Sequence, residues 1–272
     1  MIAWICPLAF LIIACTAKPT DAKLITVPSS NYRNITKALM DARPDDSVLV
    51  KPGVYREQIV INSGITLISE EHFAAVVKGN GRNNTVTIVG DGRIIGFDIS
   101  HGVSGIFTRS GNAYIKECRI YKNRGSGILC AGGLPIIEDC VIVFNEGSGI
   151  QAFDIGGGTT SISHNTIAYN SNNGILITSS VPVQIKSNII AKNRSVAISF
   201  EGKPDFISMK HNVLYDNHGM SFEIPEGNYS FNPLFEAPKK RSINFSLHKD
   251  SRALNRGKNG EDLGARINNI KN

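Results

Sequence analysis

The sequence predicts an all-β chain of stacked coils, built from short parallel strands joined at sharp bends. Three observations lead there. Sets of residues recur at intervals of 22 to 25 along the middle of the chain. Apolar residues within each interval alternate as they do in strands. Asn and Gly mark the bends, as in the twice-written phrase Asn-x-Gly-Ser-Gly-Ile at Asn123–Ile128 and Asn145–Ile150.

The first 17 residues, MIAWICPLAFLIIACTA, are almost wholly apolar. That is short of the ~20 residues a spanning helix needs. It reads as a secretory leader, although no Lys or Arg precedes the apolar run. Cys15-Thr16-Ala17 offers a cleavage site. Ile12-Ile13-Ala14-Cys15 alternatively offers a lipidation site at Cys15. The expected location is therefore periplasmic, on the outer membrane as a lipoprotein, or extracellular, with contact to a membrane only through the leader or a lipid on Cys15.

Residues 18–46 form an N-terminal cap in this reading, with an amphipathic helix over 32–42 covering one end of the stack. End coils expose apolar faces and unpaired strand edges, and such ends invite aggregation unless covered. The run Ser47-Val-Leu-Val-Lys-Pro-Gly-Val-Tyr-Arg-Glu-Gln-Ile-Val-Ile starts the coils, which continue to residue 225. Residues 226–272 are expected to close the other end irregularly.

Within the coils, Ile106, Ile128, Ile150, Ile175, Ile198 and Phe222 form one column. Each lies five residues after His101, Asn123, Asn145, Asn170, Asn193 or Asn217. A second column runs through Cys118, Cys140, Asn165, Asn188 and Asn212. An apolar residue stands three before each member and another two after. A period in this range means stacked repeats, and no segment from 83 to 225 carries a helical stripe. Three short strands per coil and roughly eight to ten coils account for the length. Successive coils would lie about 4.8 Å apart, superimposing equivalent residues. Asn is expected at the bends both for amide ladders and for left-handed backbone. The Gly of the Ser-Gly-Ile step is expected to supply positive φ where the coil corners.

These features resemble a right-handed parallel β-helix of the pectate-lyase-like superfamily, in particular its exported repeat proteins with N-x-I-x-x-N-x-x-x-G-I coils. The resemblance covers about residues 45–265, including the closing motifs Asn232-Pro-Leu-Phe and Asp262-Leu-Gly-Ala, and the preceding Ile35-Thr-Lys-Ala-Leu-Met-Asp-Ala resembles its short capping helix. It implies an acidic polysaccharide bound along an outer sheet, with lyase- or epimerase-like chemistry if the chain is an enzyme. Catalytic signatures of the polygalacturonases, main pectate lyases and pectin esterases are absent; the single Trp is Trp4, in the leader. No catalytic residue carries over.

Site residues must therefore come from the coil geometry. On the Gly-Ile strands the residues one and three after each Ile face outward, which nominates Arg109, Gln151 and Phe153 for substrate binding. Acidic residues gather late, at Asp154, Glu201 and Glu223. Such oxygen donors suit Ca²⁺. Lys203, with Glu201 and Asp154, could supply the base and charge that proton abstraction beside a uronate carboxylate requires. A rival cluster lies one residue before the second column, at Glu117, Asp139, His164, Ser187 and His211, where Asp139 would stack under His164 as a carboxylate–imidazole pair. Ordinary solvated charges explain either set as well.

The net charge of +6 suits an acidic polymer as readily as a plain basic surface. No aromatics interleave with the basic residues, so nucleic acid is not an expected partner. Cys118, Cys130 and Cys140 lack zinc spacing. Cys118 and Cys140, on adjacent coils, either form a disulfide or replace Asn in the ladder as thiols. The sequence thus leaves a polysaccharide-modifying enzyme beside a non-catalytic glycan- or protein-binding module, with an assembly protein as a weaker third reading. The chain is expected to be a monomer.

Overall fold

Alternation of buried and outward residues makes the strands, as in Val183–Lys186, where Val183 and Ile185 are buried and Gln184 and Lys186 exposed. The computed structural model describes residues 21–266 apart from 134, 156–159, 220–224 and 240–241, and only the backbone of 154, 155 and 242. The apolar leader with Cys15 lies outside the described residues, as do Phe222 and Glu223. Among the described residues no helix is long and apolar enough to cross a membrane.

The strands form three parallel sheets that wind as a right-handed solenoid of about eight turns. The first sheet runs from Leu24–Val27 and Ser47–Val50 to Ile207–Lys210; the Gly-Ile sheet from Ile59–Ile61 to Ile198–Glu201; the third from Gly53–Tyr55 to Val213–Tyr215. The register superimposes the expected column, Ile106 on Ile128, Ile150, Ile175 and Ile198. All five are fully buried in one continuous core.

Both Asn ladders form. Asn123 Nδ2 donates to Asn145 Oδ1 (2.9 Å), Asn145 to Asn170 (3.0 Å), Asn170 to Asn193 (2.9 Å) and Asn193 to Asn217 (2.9 Å). The second ladder joins Asn165 to Asn188 (3.0 Å), Asn212 (2.9 Å) and Asn228 (2.9 Å). Cys118 and Cys140 are free thiols that continue this column; each Sγ donates to the carbonyl two residues back, at 3.2 Å. Asn165 and Asn188 use the same carbonyl position. Thiols standing in for Asn are thus what the structure contains, rather than a disulfide. Cys130 lies in the core, where burial raises its thiol to about 11.

Two expectations about the bends are corrected. The left-handed residue is not the ladder Asn or Cys but the one before it: Glu117, Asp139, His164, Ser187 and His211 at one corner, with φ of 52° to 59°. Lys122, Phe144, Tyr169, Lys192 and Asp216 repeat this at the other corner. Such a conformation costs a non-Gly residue about 1–2 kcal/mol, and the ladder bonds of the following Asn offset it. The turn sends the left-handed side chain outward and the Asn inward. The Gly of the Gly-Ile step is needed for space rather than for positive φ. A Cβ on Gly127 would stand 2.5 Å from Ile142 Cγ2 and 2.8 Å from the Gly149 carbonyl.

The helix forms over Ile35–Asp41 and buries Ile35, Ala38 and Leu39 against one end of the stack. Asn34 Oδ1 accepts from the Lys37 amide (2.9 Å), and the Glu57 carboxylate accepts from the Ile35 and Thr36 amides (3.1 and 2.9 Å). These bonds satisfy donors that a helix start leaves unpaired.

The C-terminal segment does more than the expected end cap: Asn228 and Tyr229 add a rung to the last coil, and the described residues after them lie along the side of the stack. An antiparallel hairpin, Phe235–Lys239 with Ser242–Leu247, sets Phe235 and Phe245 against Val141, Val143 and Ala168 of the third sheet. Phe231, Ala253 and Leu263 pack on Ile189, Ala191 and Val213. Strands such as Val141–Val143 and Ile189–Ala191 are apolar on both faces and buried on both. Covering them is the hydrophobic reason for the fold-back.

Candidate functional site: a basic groove under the C-terminal segment

Where the returning chain meets the corner between the first and third sheets, it walls a groove of about 900 Å³. The floor is the outer face of the first sheet. Gln184 and Lys186 of one strand stand in register with Ser208 and Lys210 of the next, about 4.8 Å apart along the stack. One wall is the left-handed corner column His164, Ser187 and His211, whose backbone conformation turns these side chains outward. The opposite wall is Lys258, Asn259, Gly260, Glu261 and Arg266.

Arg266 fastens that wall. Its Nε and Nη2 donate to the two oxygens of Asp139 at 2.6 and 2.5 Å, and Nη2 reaches Glu138 Oε1 at 3.5 Å. The Gly264 amide donates to the Ser187 carbonyl (2.8 Å) and the Ala265 amide to Thr166 Oγ1 (3.1 Å). The partners of Gly264, Ala265 and Arg266 thus step down the corner one coil at a time.

The groove is strongly cationic. Among the described residues Lys186, Lys210 and Lys258 have no ion-pair partner. Glu261 is its one carboxylate. Burial works to raise that acid, but its own amide, the Asn259 amide, His164 and Arg266 together hold it below the usual range. His164 is 8 % exposed. Burial, and then the charge of Arg266, keep its pKa below 6.5, against the pull of Asp139 and Glu261. Its Nε2 lies 3.9 Å from Glu261 Oε1, and its buried Nδ1 has no hydrogen-bond partner among the described residues.

The residues nominated from sequence fall in three places. Arg109, Gln151 and Phe153 do share the outer face of the Gly-Ile sheet: Arg109 pairs with Ala131, which pairs with Phe153, and Gln151 accepts from Ser126 Oγ (2.7 Å). Glu201 is exposed and accepts from Thr178 Oγ1 (3.3 Å). Lys203 sets its ammonium 5.6 Å from the Phe206 ring. Asp154 belongs to the strand Ile150–Ile155, but its side chain, like all of Glu223, lies outside the described residues. Of the three donors expected for Ca²⁺ only Glu201 is therefore placed. Among the described residues no group of three or more His, Cys, Asp or Glu could hold a metal ion.

Asp139 and His164 do sit at one corner on adjacent coils, but the carboxylate is claimed by Arg266 and the imidazole faces Glu261 instead. Ser187 and His211, from the same corner column, do line the groove, and its remaining members were not singled out from sequence. Lys186 and Lys210 carried a usable signal, since they share a repeat column. Lys258, Glu261 and Arg266 lie beyond the periodic region, where nothing in the sequence indicates the coil they touch.

A three-sheet solenoid with asparagine ladders and one capping helix defines a right-handed parallel β-helix. The chain belongs to the right handed beta helix region family, which matches residues 62–235. Among solved structures it is similar to the periplasmic alginate epimerase AlgG, at 15% identity and a TM-score of 0.53, covering 76% of this chain and 53% of that one. It is also similar to the pectate lyase Pel9A, at 13% identity and a TM-score of 0.51, over 90% of this chain and 96% of that one. The chain thus spans about half the length of the epimerase. At these identities the likeness is one of fold. No curated protein matches the sequence.

Proposed function

We propose that this protein binds an acidic polysaccharide, a polyuronate, in the groove between the first sheet and the returning C-terminal segment. One observation carries the reading: three lysines without carboxylate partners converge there with Arg266 and two histidines. Unpaired cations in a partly enclosed groove attract a carboxylate more strongly than cations scattered over a surface. The two structural neighbours, an alginate epimerase and a pectate lyase, support a polyuronate as the class of ligand. Export, by cleavage of the leader or lipidation at Cys15, is part of the same proposal, because such polymers lie outside the cell membrane.

A second reading is turnover of the bound uronate by elimination or epimerisation. His164 favours it, because an imidazole held neutral near pH 7 can accept the proton beside a carboxylate. Glu201 and Lys203 on the Gly-Ile side, with Asp154, Glu223 and Ca²⁺, are the competing location for that chemistry.

The test is titration of the protein with polygalacturonate, alginate and a neutral glucan. The first two should bind, more weakly as salt rises, and the double variant Lys186→Ala/Lys210→Ala should lose most of that binding. Equal binding of the neutral glucan, or unchanged binding by the double variant, would overturn the reading. Appearance of unsaturated product in the wild type, and its absence in His164→Gln, would add turnover at the groove; its loss in Glu201→Gln instead would locate it on the Gly-Ile side.

A further inference from the structure

Resting on the groove as a polyuronate site, we infer that it takes the end of an acidic chain, a segment of a few sugars, and not the middle of a long polymer. Its basic residues are confined to three successive coils, those of His164, Lys186 and Lys210. Two coil steps span about 10 Å. The volume of about 900 Å³ falls within the ~300–1,000 Å³ of small-ligand sites. That space holds an oligosaccharide.

One end of the groove lies at the corner where Arg266 binds Asp139. The cationic character of the groove gives way at the same point. On the first sheet the column running through Lys210, Lys186 and Ser163 continues to Glu138. The neighbouring corner column continues from His164 to Asp139 and Glu117. Next to Glu138 in the first-sheet column stands Lys116, whose ammonium lies 3.5 Å from Glu117 Oε1, and Glu117 also lies 2.6 Å from His72 Nε2. Past His164, among the described residues, the three carboxylates of Glu138, Asp139 and Glu117 therefore face only the two cations Arg266 and Lys116. A uronate chain extended past His164 would leave a surplus of cations for a surplus of carboxylates. Like charges along one path repel, so the polymer has to stop there.

Calorimetric titration with oligogalacturonates and oligoalginates of two, three and six residues, and with the polymers, separates the alternatives. Affinity should level off by the trimer, and a polymer should bind one protein per chain end. Affinity that keeps rising to the hexamer, or many proteins bound along each polymer chain, would overturn the inference while leaving the groove as the polyuronate site. No binding at any length would remove the underlying reading and this inference with it. As a second check, Glu117→Gln/Glu138→Gln should strengthen hexamer binding about threefold, the scale of exposed charge contacts, with the trimer unchanged. An unchanged hexamer affinity would count against the electrostatic stop.

Discussion

The wall of the groove depends on Arg266, and replacing it with Ala has a calculable effect. Asp139 is 4 % exposed and receives two charge-assisted bonds from the guanidinium. Removing one partner of a fully buried pair costs about 3–5 kcal/mol. Arg266 keeps 32 % of its side-chain exposure, so water reaches the pair, and about 2–3 kcal/mol is the better figure. The loss should be local. Leu263, Ala253 and Phe231 still pack on the third sheet, so the segment should open without unfolding the coils. Hydrogen exchange reads this directly, because the Gly264 and Ala265 amides bond to Ser187 and Thr166 only while the segment is seated. Their exchange should accelerate roughly 30- to 150-fold, at a factor of ten per ~1.4 kcal/mol. Arg266→Lys should fall between, since it keeps the charge and loses the fork. Unchanged exchange at both amides in Arg266→Ala would refute the reasoning and leave the apolar contacts as the sole anchor.

Asn170→Ala deletes four bonds of 2.9–3.1 Å at a fully buried site; at about 1 kcal/mol each, denaturant unfolding should show a loss near 4 kcal/mol, and a loss below about 1 kcal/mol would mean the ladder is energetically idle. Gly127→Ala should cost about 1–3 kcal/mol by overpacking, because its Cβ would press on Ile142 and the Gly149 carbonyl; a neutral result would show that the coil yields there. His164 has a folded pKa below 6.5, so as pH falls through 6.5 the unfolded chain takes up a proton that the folded chain refuses. Its contribution to stability is therefore present above that pH and lost on acidification. Thermal unfolding at about pH 7 and about pH 5 should show a smaller drop in His164→Asn than in the wild type, and equal drops would contradict the assignment.

What could be read from sequence follows from the geometry of a solenoid. Each coil touches the next at a nearly constant separation, so neighbours in space are neighbours in the repeat. Ile106, Ile128 and Ile150 superimpose because they are 22 residues apart, and the same arithmetic stacks the Asn ladders and places Arg109, Gln151 and Phe153 on one face. Column membership does not determine backbone angles, which is why the left-handed bend falls one residue before the Asn. Nor does it reveal the sterics that make Gly127 a Gly. The groove depends on contacts with no period at all. Arg266 reaches Asp139 across 127 residues and Ala265 reaches Thr166 across 99. The sequence by itself determined the stack, its core and its ladders, because those contacts repeat. The fold-back that walls the groove and takes Asp139 away from His164 was decided only in the tertiary structure, where the doubly apolar third sheet drew the C-terminal segment onto itself.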